Sequence, residues 1–320
     1  MEPEEGDVQG ELIALEHNDR GASKDSSGVV LGVVTGMRPR QWAKNALVFV
    51  APASAGVLNH RGVLLTTVGT FGVFCAAASG MYLVNDATDV EADRRHPDKR
   101  HRPVARGAVS PSLARFAGAV LIVIAMTSSW FVARWPLVLV VGIYIIISAA
   151  YTLWLQREPV IELAAVSSGF LIRAIAGGVA THVPLSSWFL AVASFGALFV
   201  VTGKRMGEYV RLGERRGEHR EVLGIYTASF LGSTLTLTAS VTVTAYCLWA
   251  FEKAGLLSHV GHHLVWIQLS VVPVILGTLH TLRLVDAGLV DAPEDLFFHD
   301  HLLQALGVLW IALFSIGLYG

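Results

Sequence analysis

The chain has 320 residues, of which 53% are hydrophobic and only 15% are charged, and its formal net charge is −1. Soluble domains usually carry about 25% charged residues, so this composition excludes an ordinary soluble domain, and the small net charge gives no reason to expect a nucleic-acid partner. The composition therefore predicts an all-α, polytopic bundle of transmembrane helices. Cys75 and Cys247 lie inside apolar runs and predict neither a disulfide framework nor a metal site.

Residues 1–28 are acidic and polar, and they lack the apolar core of a signal peptide. We predict a disordered acidic cytoplasmic tail over 1–28 and one transmembrane catalytic domain over 29–320. Because a helix needs roughly 20 apolar residues to cross the hydrocarbon core, the remainder predicts about nine spans. They are expected near residues 41–57, 63–84, 112–133, 136–156, 160–181, 186–203, 227–251, 263–283 and 301–319.

Lysine and arginine are concentrated in alternate loops of this arrangement. They cluster before the first span, between spans two and three, and between spans six and seven, whereas the opposite loops carry only Arg61, Arg134 and Lys253. Cytoplasmic loops carry the excess of positive charge. The pattern predicts a multi-pass protein of the inner (plasma) membrane, with the N-terminus and the long basic loops in the cytoplasm and the C-terminus outside.

Acidic side chains directly continue the second span. At about 100° per residue, Asp86, Asp89 and Asp93 lie within about 60° of one another on a helix, and Asn85 is four residues from Asp89. Oxygen ligands without histidine or cysteine favour Mg²⁺, which usually shares its coordination shell with substrate phosphates. We predict that these four residues bind Mg²⁺ and that the three aspartates are catalytic. The alternative is a solvated acidic helix end beside a basic loop.

The segment that follows, residues 94–103, is dense in arginine, lysine and histidine. Such cations suit phosphate oxygens, and we single out Arg102 as a substrate contact. The alternative for most of them is a topology signal that contacts anionic lipid.

A second group of charges follows the sixth span. Lys204 and Glu208 are four residues apart, with Arg205 between them. Two helices that each end in functional groups on the same side can enclose one site. The alternative is a helix-end salt bridge worth about 0.3–0.5 kcal/mol.

The fifth span contains two ionisable residues, Glu162 and Arg173. Intramembrane charges usually face a bundle interior or a wet cavity. Glu162 lies near the cytoplasmic end and is expected to reach the site. Arg173 lies about 17 Å further along at 1.5 Å per residue, so structural pairing is at least an equal alternative for it.

The motif Asn-Asp-x-x-Asp-x-x-x-Asp at 85–93 resembles the first aspartate motif of the UbiA superfamily of intramembrane prenyltransferases. Residues 38–45, 171–178 and 203–205 resemble the branch that transfers phosphoribose to decaprenyl phosphate. The resemblance extends over nearly the whole chain from about residue 35. One departure is that Lys204 begins the segment where the superfamily usually has a second Asp-x-x-x-Asp motif. A lysine there favours a donor with an additional phosphate.

The resemblance implies Mg²⁺-dependent transfer of 5-phosphoribose from phosphoribosyl pyrophosphate to decaprenyl (polyprenyl) phosphate, for cell-wall arabinan precursors, with release of pyrophosphate. Lys204 joins the aspartates as a catalytic residue in this hypothesis. The residues expected to contact substrate are Lys44, Asn85, Arg102, Tyr151, Glu162, Arg205 and Glu208. One alternative is a prenyltransferase that joins a prenyl diphosphate to an aromatic, quinone or haem acceptor, and another is a transporter. Assembly into a homo-oligomer is left open.

Overall fold

The structure, a computed structural model, describes residues 28–96, 99–257, 264–289 and 299–319, so the tail expected over 1–28 lies outside the described residues except for its last position. Helices make up nearly all of these ranges, which contain no β-strand. The α-helices are α1 (28–36), α2 (Val50–Ser54), α3 (Arg61–Thr88), α4 (Val90–Arg95), α5 (Pro111–Leu153), α6 (Ile161–Thr181), α7 (Ser187–Leu212), α8 (Arg216–His219), α9 (Glu221–Ile225), α10 (Ala228–Leu257), α11 (Leu264–Leu269), α12 (Val271–Asp286) and α13 (His301–Tyr319). Short 3₁₀ helices occupy Pro39–Phe49, Lys99–His101, Leu155–Arg157 and Gly213–Arg215.

Within the described ranges, seven helical segments are long and apolar enough to cross a bilayer. The longest, α5, has 43 residues, which is about 64 Å at 1.5 Å per residue and twice the hydrocarbon thickness. Its path breaks at Ala133 (φ −147°) and Arg134 (φ +57°). A Cβ on Gly142 would lie 3.8 Å from the methyl carbon of Met126, so the chain reverses at the break. The helix is therefore two spans, as the sequence predicts.

The first predicted span differs in form from a regular transmembrane helix. Residues Pro39–Phe49 form a 3₁₀ helix, and only the five residues of α2 continue it as α-helix. Runs of 3₁₀ helix longer than 3–4 residues are uncommon, so neighbouring contacts must stabilise this one. The last part of the 3₁₀ helix approaches α6 closely, because a Cβ on Gly177 would lie 1.9 Å from the carbonyl oxygen of Val48. Only glycine fits at that position.

The described residues divide into two compact units. The first unit comprises the described part of Met1–Ala43 together with Cys75–Ala125. Its apolar core contains Ala87, Val104, Val109 and Ala114, with Val33 and Val90 packed against them. In this unit α3 and α5 cross closely at two glycines, since a Cβ on Gly80 would lie 2.8 Å from the carbonyl oxygen of Gly118. The core and this crossing hold the end of α3, which carries the acidic residues.

The second unit comprises Lys44–Phe74 and the described part of Met126–Gly320. One of its cores is aromatic, with Trp249 stacked on Phe314 at a centroid distance of 5.8 Å. Beside it Trp310 Nε1 donates to Tyr246 Oη at 2.7 Å, and Tyr246 Oη lies 2.7 Å from Ser270 Oγ. Such satisfied hydrogen bonds stabilise helix packing in lipid. Together with the seven apolar helical segments, this packing describes a multi-pass membrane protein.

Candidate active site

The acidic residues predicted from the sequence lie at the end of α3 and in α4, within the first unit. Helix α3 ends at Thr88 and α4 begins at Val90, with Asp89 between them at φ −95° and ψ 13°. The helical hydrogen bonds continue through this point, because Asp89 N donates to Asn85 O at 2.9 Å and Asp93 N to Asp89 O at 2.8 Å. The aspartates therefore keep the helical spacing that the sequence predicts, although α3 ends and α4 begins between them.

We define the acidic cluster as Asp86, Asp93, Arg38 and Arg102. Arg102 Nη1 donates to Asp86 Oδ1 at 3.1 Å and to Asp93 Oδ2 at 2.7 Å. Arg38 Nη2 donates to the same Asp86 Oδ1. The aspartate side chains are only 1% and 3% exposed, whereas those of the two arginines are 27% and 24% exposed. The cluster thus consists of two buried carboxylates closed from the solvent side by two guanidinium groups.

The acidic cluster retains capacity for a cation. Asp86 Oδ2 is buried and has no hydrogen-bond partner among the described residues, and an unsatisfied buried carboxylate oxygen is costly unless something binds it. Among the described residues no three His, Cys, Asp or Glu side chains gather as a ready-made metal cage. Two carboxylates with a free oxygen nevertheless fit Mg²⁺, which usually binds few carboxylates and completes its shell with water and phosphate. Asn85 and Asp89 are half-buried, and their role as ligands stays a prediction.

We define the glutamate cluster, in the second unit, as Glu162, Arg205, Glu208, Arg220 and Tyr151. Arg205 Nε and Nη2 donate to Glu162 Oε1 and Oε2, each at 2.9 Å, and Arg205 Nη1 donates to Glu208 Oε2 at 2.9 Å. Glu162 is fully buried and Arg205 is 3% exposed. Arg220 Nη1 lies 3.7 Å from Glu162 Oε2 and donates to Tyr151 Oη at 2.9 Å. Four of the predicted site residues, Tyr151, Glu162, Arg205 and Glu208, therefore share one network.

A strained turn places Glu162 in this network. Val160 has φ +67° and ψ −46°, and Ile161 N donates to Pro159 O at 2.8 Å, which closes a γ-turn. A β-branched residue in this region is an outlier that costs of order 1–3 kcal/mol. Tyr226 Oη accepts the Val160 N–H at 2.8 Å, and burial raises the pKa of its phenol above the ordinary value. Tyr226 therefore caps the turn from which α6 begins.

The two predicted lysines occupy different elements of the second unit. Lys204 is half-buried in α7, directly before Arg205. Lys44 lies on the 3₁₀ helix, with Nζ 5.9 Å from the centre of the Phe170 ring on α6. In the glutamate cluster Glu208 pairs with Arg205, three residues before it in the chain. This contact exists beside the four-residue spacing of Lys204 and Glu208 that the sequence shows.

Arg173 has a structural role. It is 6% exposed, and its guanidinium donates to Asn45 Oδ1 at 2.7 Å, to Gly169 O at 2.6 Å and to Tyr144 Oη at 3.1 Å. Its bond to Asn45 ties the 3₁₀ helix to α6. The alternative of structural pairing, considered from the sequence, is the one that these contacts support.

Arg38, Arg220 and Tyr226 are site residues that the sequence patterns do not predict. Arg38 lies in the motif at 38–45 and Arg220 in a basic loop, where an arginine is typical of a topology signal. Their partners lie 48 and 69 residues away along the chain, at Asp86 and Tyr151. No periodicity predicts pairs of that separation. A tyrosine that follows a charged loop is the one local sequence signal for Tyr226.

A sequence model of the UbiA prenyltransferase family matches residues 45–303 of the chain. The chain belongs to this family. Its relatives include the decaprenyl-phosphate phosphoribosyltransferase of Mycobacterium tuberculosis, 44% identical over 291 residues, which cover 89% of this chain and 94% of the relative. The enzyme of the same name from Corynebacterium glutamicum is 40% identical over 293 residues, 90% of this chain and 87% of the relative.

Solved structures share the fold of this UbiA protein. A digeranylgeranylglyceryl phosphate synthase superimposes with a TM-score of 0.64 at 14% identity and covers 91% of this chain and 98% of its own. A UbiA homologue from Archaeoglobus fulgidus, bound to GPP and Mg²⁺, gives a TM-score of 0.64 at 13% identity and covers 89% and 98%. The predicted all-α, UbiA-like membrane fold is confirmed, and this UbiA protein is a membrane-embedded transferase.

Proposed function

We propose that this UbiA protein transfers 5-phosphoribose from phosphoribosyl pyrophosphate to decaprenyl (polyprenyl) phosphate and releases pyrophosphate. The observation that carries the proposal is the 44% identity, over 89% of the chain, to a decaprenyl-phosphate phosphoribosyltransferase. The lysine at 204, where the wider superfamily usually carries an acidic motif, supports it, because phosphoribosyl pyrophosphate has a 5-phosphate that a prenyl diphosphate lacks.

In the proposed reaction a phosphate oxygen of the lipid forms a bond to C1 of the ribose, and the bond between C1 and the pyrophosphate oxygen breaks. The attacking phosphate is already anionic, so the reaction needs no strong base. Positioning and electrostatic stabilisation then carry most of the acceleration. A bound Mg²⁺ would neutralise charge on the departing pyrophosphate. Asp86 and Asp93, with Asn85 and Asp89, are the residues that we propose would hold it.

Basic residues outside the acidic cluster are proposed to serve the other phosphates. Lys204 is our candidate for the 5-phosphate or the lipid phosphate, with Lys44 next. Arg205 already donates to two glutamates, so we assign it the task of fixing the end of α7 on which Lys204 stands. Glu162 fits the same supporting task, because both of its oxygens accept from Arg205.

The membrane setting suits these substrates. The lipid chain of the acceptor stays in the bilayer, while the water-soluble donor arrives from the cytoplasm. We propose that the N-terminus and the active site face the cytoplasm of the plasma membrane, because lysine and arginine are concentrated in the loops that the sequence places there. The product would then serve the synthesis of cell-wall arabinan precursors.

A second candidate is a prenyltransferase with a prenyl diphosphate donor, which is favoured by the likeness to a UbiA homologue bound to GPP. The test supplies purified protein and Mg²⁺ with either phosphoribosyl pyrophosphate and decaprenyl phosphate, or geranyl diphosphate and an aromatic acceptor, and measures pyrophosphate. We expect release with the first pair only. Release with the prenyl diphosphate alone would replace our proposal with the second candidate.

A further inference from the structure

We propose that Arg102 and Arg38 are exchangeable counter-ions of the acidic cluster. Without ligand they neutralise Asp86 and Asp93. When a divalent cation and a diphosphate bind, the two guanidinium groups leave the carboxylates and bind diphosphate oxygens instead. This inference rests on the cation part of the proposed function and not on the identity of the sugar donor.

The contacts in the first unit favour such an exchange. Asp86 Oδ1 accepts from both Arg38 and Arg102, and Arg102 also occupies Asp93 Oδ2. A divalent cation that used these oxygens would stand beside two positive guanidinium groups, against carboxylates that are almost fully buried. Like charges at such distances repel strongly, so the guanidinium groups and the cation compete for the same carboxylates. The unpartnered Asp86 Oδ2 is the atom at which a cation can begin to bind.

The exposure of the side chains makes the exchange feasible. The Arg38 and Arg102 side chains are about one-quarter exposed, whereas the carboxylates that they cover are almost fully buried. An arginine at a solvent edge can rotate outward at little desolvation cost, and its planar group suits bidentate contact with phosphate oxygens. The ring of Tyr82, 4.8 Å from the Arg38 guanidinium carbon, offers that side chain a resting surface.

The exchange couples the two ligands thermodynamically. A cation that displaces the arginines prepares them for the diphosphate, and a diphosphate that attracts the arginines clears the carboxylates for the cation. Each ligand must then raise the affinity of the other by the same factor, and factors of about 5 to 150 are typical of such coupling. A metal site whose ligands were permanently available would lack this part of the coupling.

The test measures Mn²⁺ binding to the purified full-length protein by electron paramagnetic resonance, with and without pyrophosphate, after subtraction of protein-free manganese pyrophosphate. Pyrophosphate is the probe because both donor classes release it. We expect Arg102→Gln to bind Mn²⁺ alone about 10-fold more tightly than the wild type, because a competing cation is gone. We expect pyrophosphate to tighten Mn²⁺ binding about 10-fold in the wild type and less than about 2-fold in Arg102→Gln, a range set by typical coupling.

Arg106→Gln is the matched control, because it removes the same charge from an exposed position four residues further along the same loop. It should match the wild type in both measurements. Arg102→Lys keeps the charge but not the bridging geometry, and should give intermediate affinities. It serves in place of Arg102→Gln if the latter does not fold, which melting in detergent will show.

Weaker or unchanged Mn²⁺ binding in both Arg102 variants would overturn the inference, and so would an Arg106→Gln variant that behaves like Arg102→Gln. Absence of Mn²⁺ binding in the folded wild type would also overturn it. Pyrophosphate release from a prenyl diphosphate alone, with the coupling intact, would overturn the proposed function and leave this inference standing.

Discussion

The acidic cluster and the glutamate cluster both pair carboxylates with guanidinium groups, and they differ in how completely those groups are satisfied. In the glutamate cluster the Arg205 side chain is 4% exposed and donates to three carboxylate oxygens. In the acidic cluster the Arg102 side chain is 24% exposed, and a buried oxygen of Asp86 has no partner in the part of the chain that the structure describes.

The difference separates a structural ion pair from one that can exchange. Removing one member of a fully buried pair leaves an uncompensated charge, so such a pair behaves as part of the packing. A pair at a solvent edge with a spare acceptor can give up its cation to another cation at lower cost. The comparison predicts that mutations in the acidic cluster mainly change ligand binding and turnover, and that mutations of Glu162 mainly change folding stability.

The largest effect is expected in the acidic cluster. Asp86→Ala and Asp93→Ala should each lower kcat/KM by at least about 10³-fold, because they remove proposed metal ligands that act on the leaving group. Pyrophosphate release is the measurement, with the amount of folded protein in the membrane fraction as the check on expression. Glu91→Ala, on α4 with an exposed side chain that pairs with Arg94, is the control and should retain activity. Near-normal turnover in both aspartate variants would refute the metal-site assignment.

A large loss of stability is expected in the glutamate cluster. Glu162→Gln should lower the free energy of unfolding by about 3–5 kcal/mol, because it leaves the buried Arg205 charge without its main partner. The double variant Glu162→Met/Arg205→Met should recover much of this loss, since apolar replacements of a buried pair are often neutral. Unfolding in mixed detergent micelles measures both. If the double variant were no more stable than the single one, the pair would not be the structural element that we describe.

A moderate effect on binding is expected at Lys204, beside the rigid pair. Lys204→Ala should raise KM for the donor or the lipid phosphate by about 10- to 100-fold, corresponding to one hydrogen bond between charged groups. Stability should change little, which separates this residue from Glu162. Lys204→Arg keeps the charge and should restore part of the affinity. Unchanged kinetic constants in Lys204→Ala would rule out the proposed role.

The smallest effect is expected at Tyr226. Tyr226→Phe should cost about 1 kcal/mol of stability, because the Val160 N–H loses its acceptor. Burial raises the pKa of this phenol in the folded protein, so the neutral form stabilises the fold below the ordinary tyrosine pKa. That contribution is lost as the pH rises from about 10 through the folded-state pKa. Unfolding curves between pH 8 and about 11 should therefore show the wild type losing stability relative to the variant; parallel curves would contradict the assignment.

Hydrophobic runs and their interruptions predict most of the fold. The sequence Arg134-Trp135-Pro136 interrupts an apolar stretch with a charge and a proline, and the structure reverses there. The 3₁₀ form of Pro39–Phe49 was not predictable, because it depends on the close approach of Gly177 on α6, more than 120 residues further along the chain. Hydrophobic runs indicate the length and polarity of a helix. A close approach between two segments that are distant along the chain leaves no local pattern in either of them.

The candidate site divides in the same way. The stripe of Asp86 and Asp93 follows from helical spacing, and the structure keeps it. The partners of these carboxylates, Arg38 and Arg102, depend on how two loops fold back, so the sequence offered several equivalent cations. The sequence predicts Lys204, four residues away, as the neighbour of Glu208, but a residue three positions away is also a neighbour on a helix. Arg205 is buried against Glu162, and in that position its guanidinium group also donates to Glu208.

Because the chain reverses at Arg134 within α5, a label on this residue would report which side of the membrane the bend occupies. Its side chain is exposed at the bend, and the native thiols, Cys75 and Cys247, are buried and half-buried. An Arg134→Cys protein in which serine replaces the half-buried Cys247 would thus offer a single accessible thiol to a membrane-impermeant maleimide. Labelling in intact spheroplasts would place the bend on the periplasmic surface. Labelling only in inverted vesicles would show that the protein has the opposite orientation in the membrane.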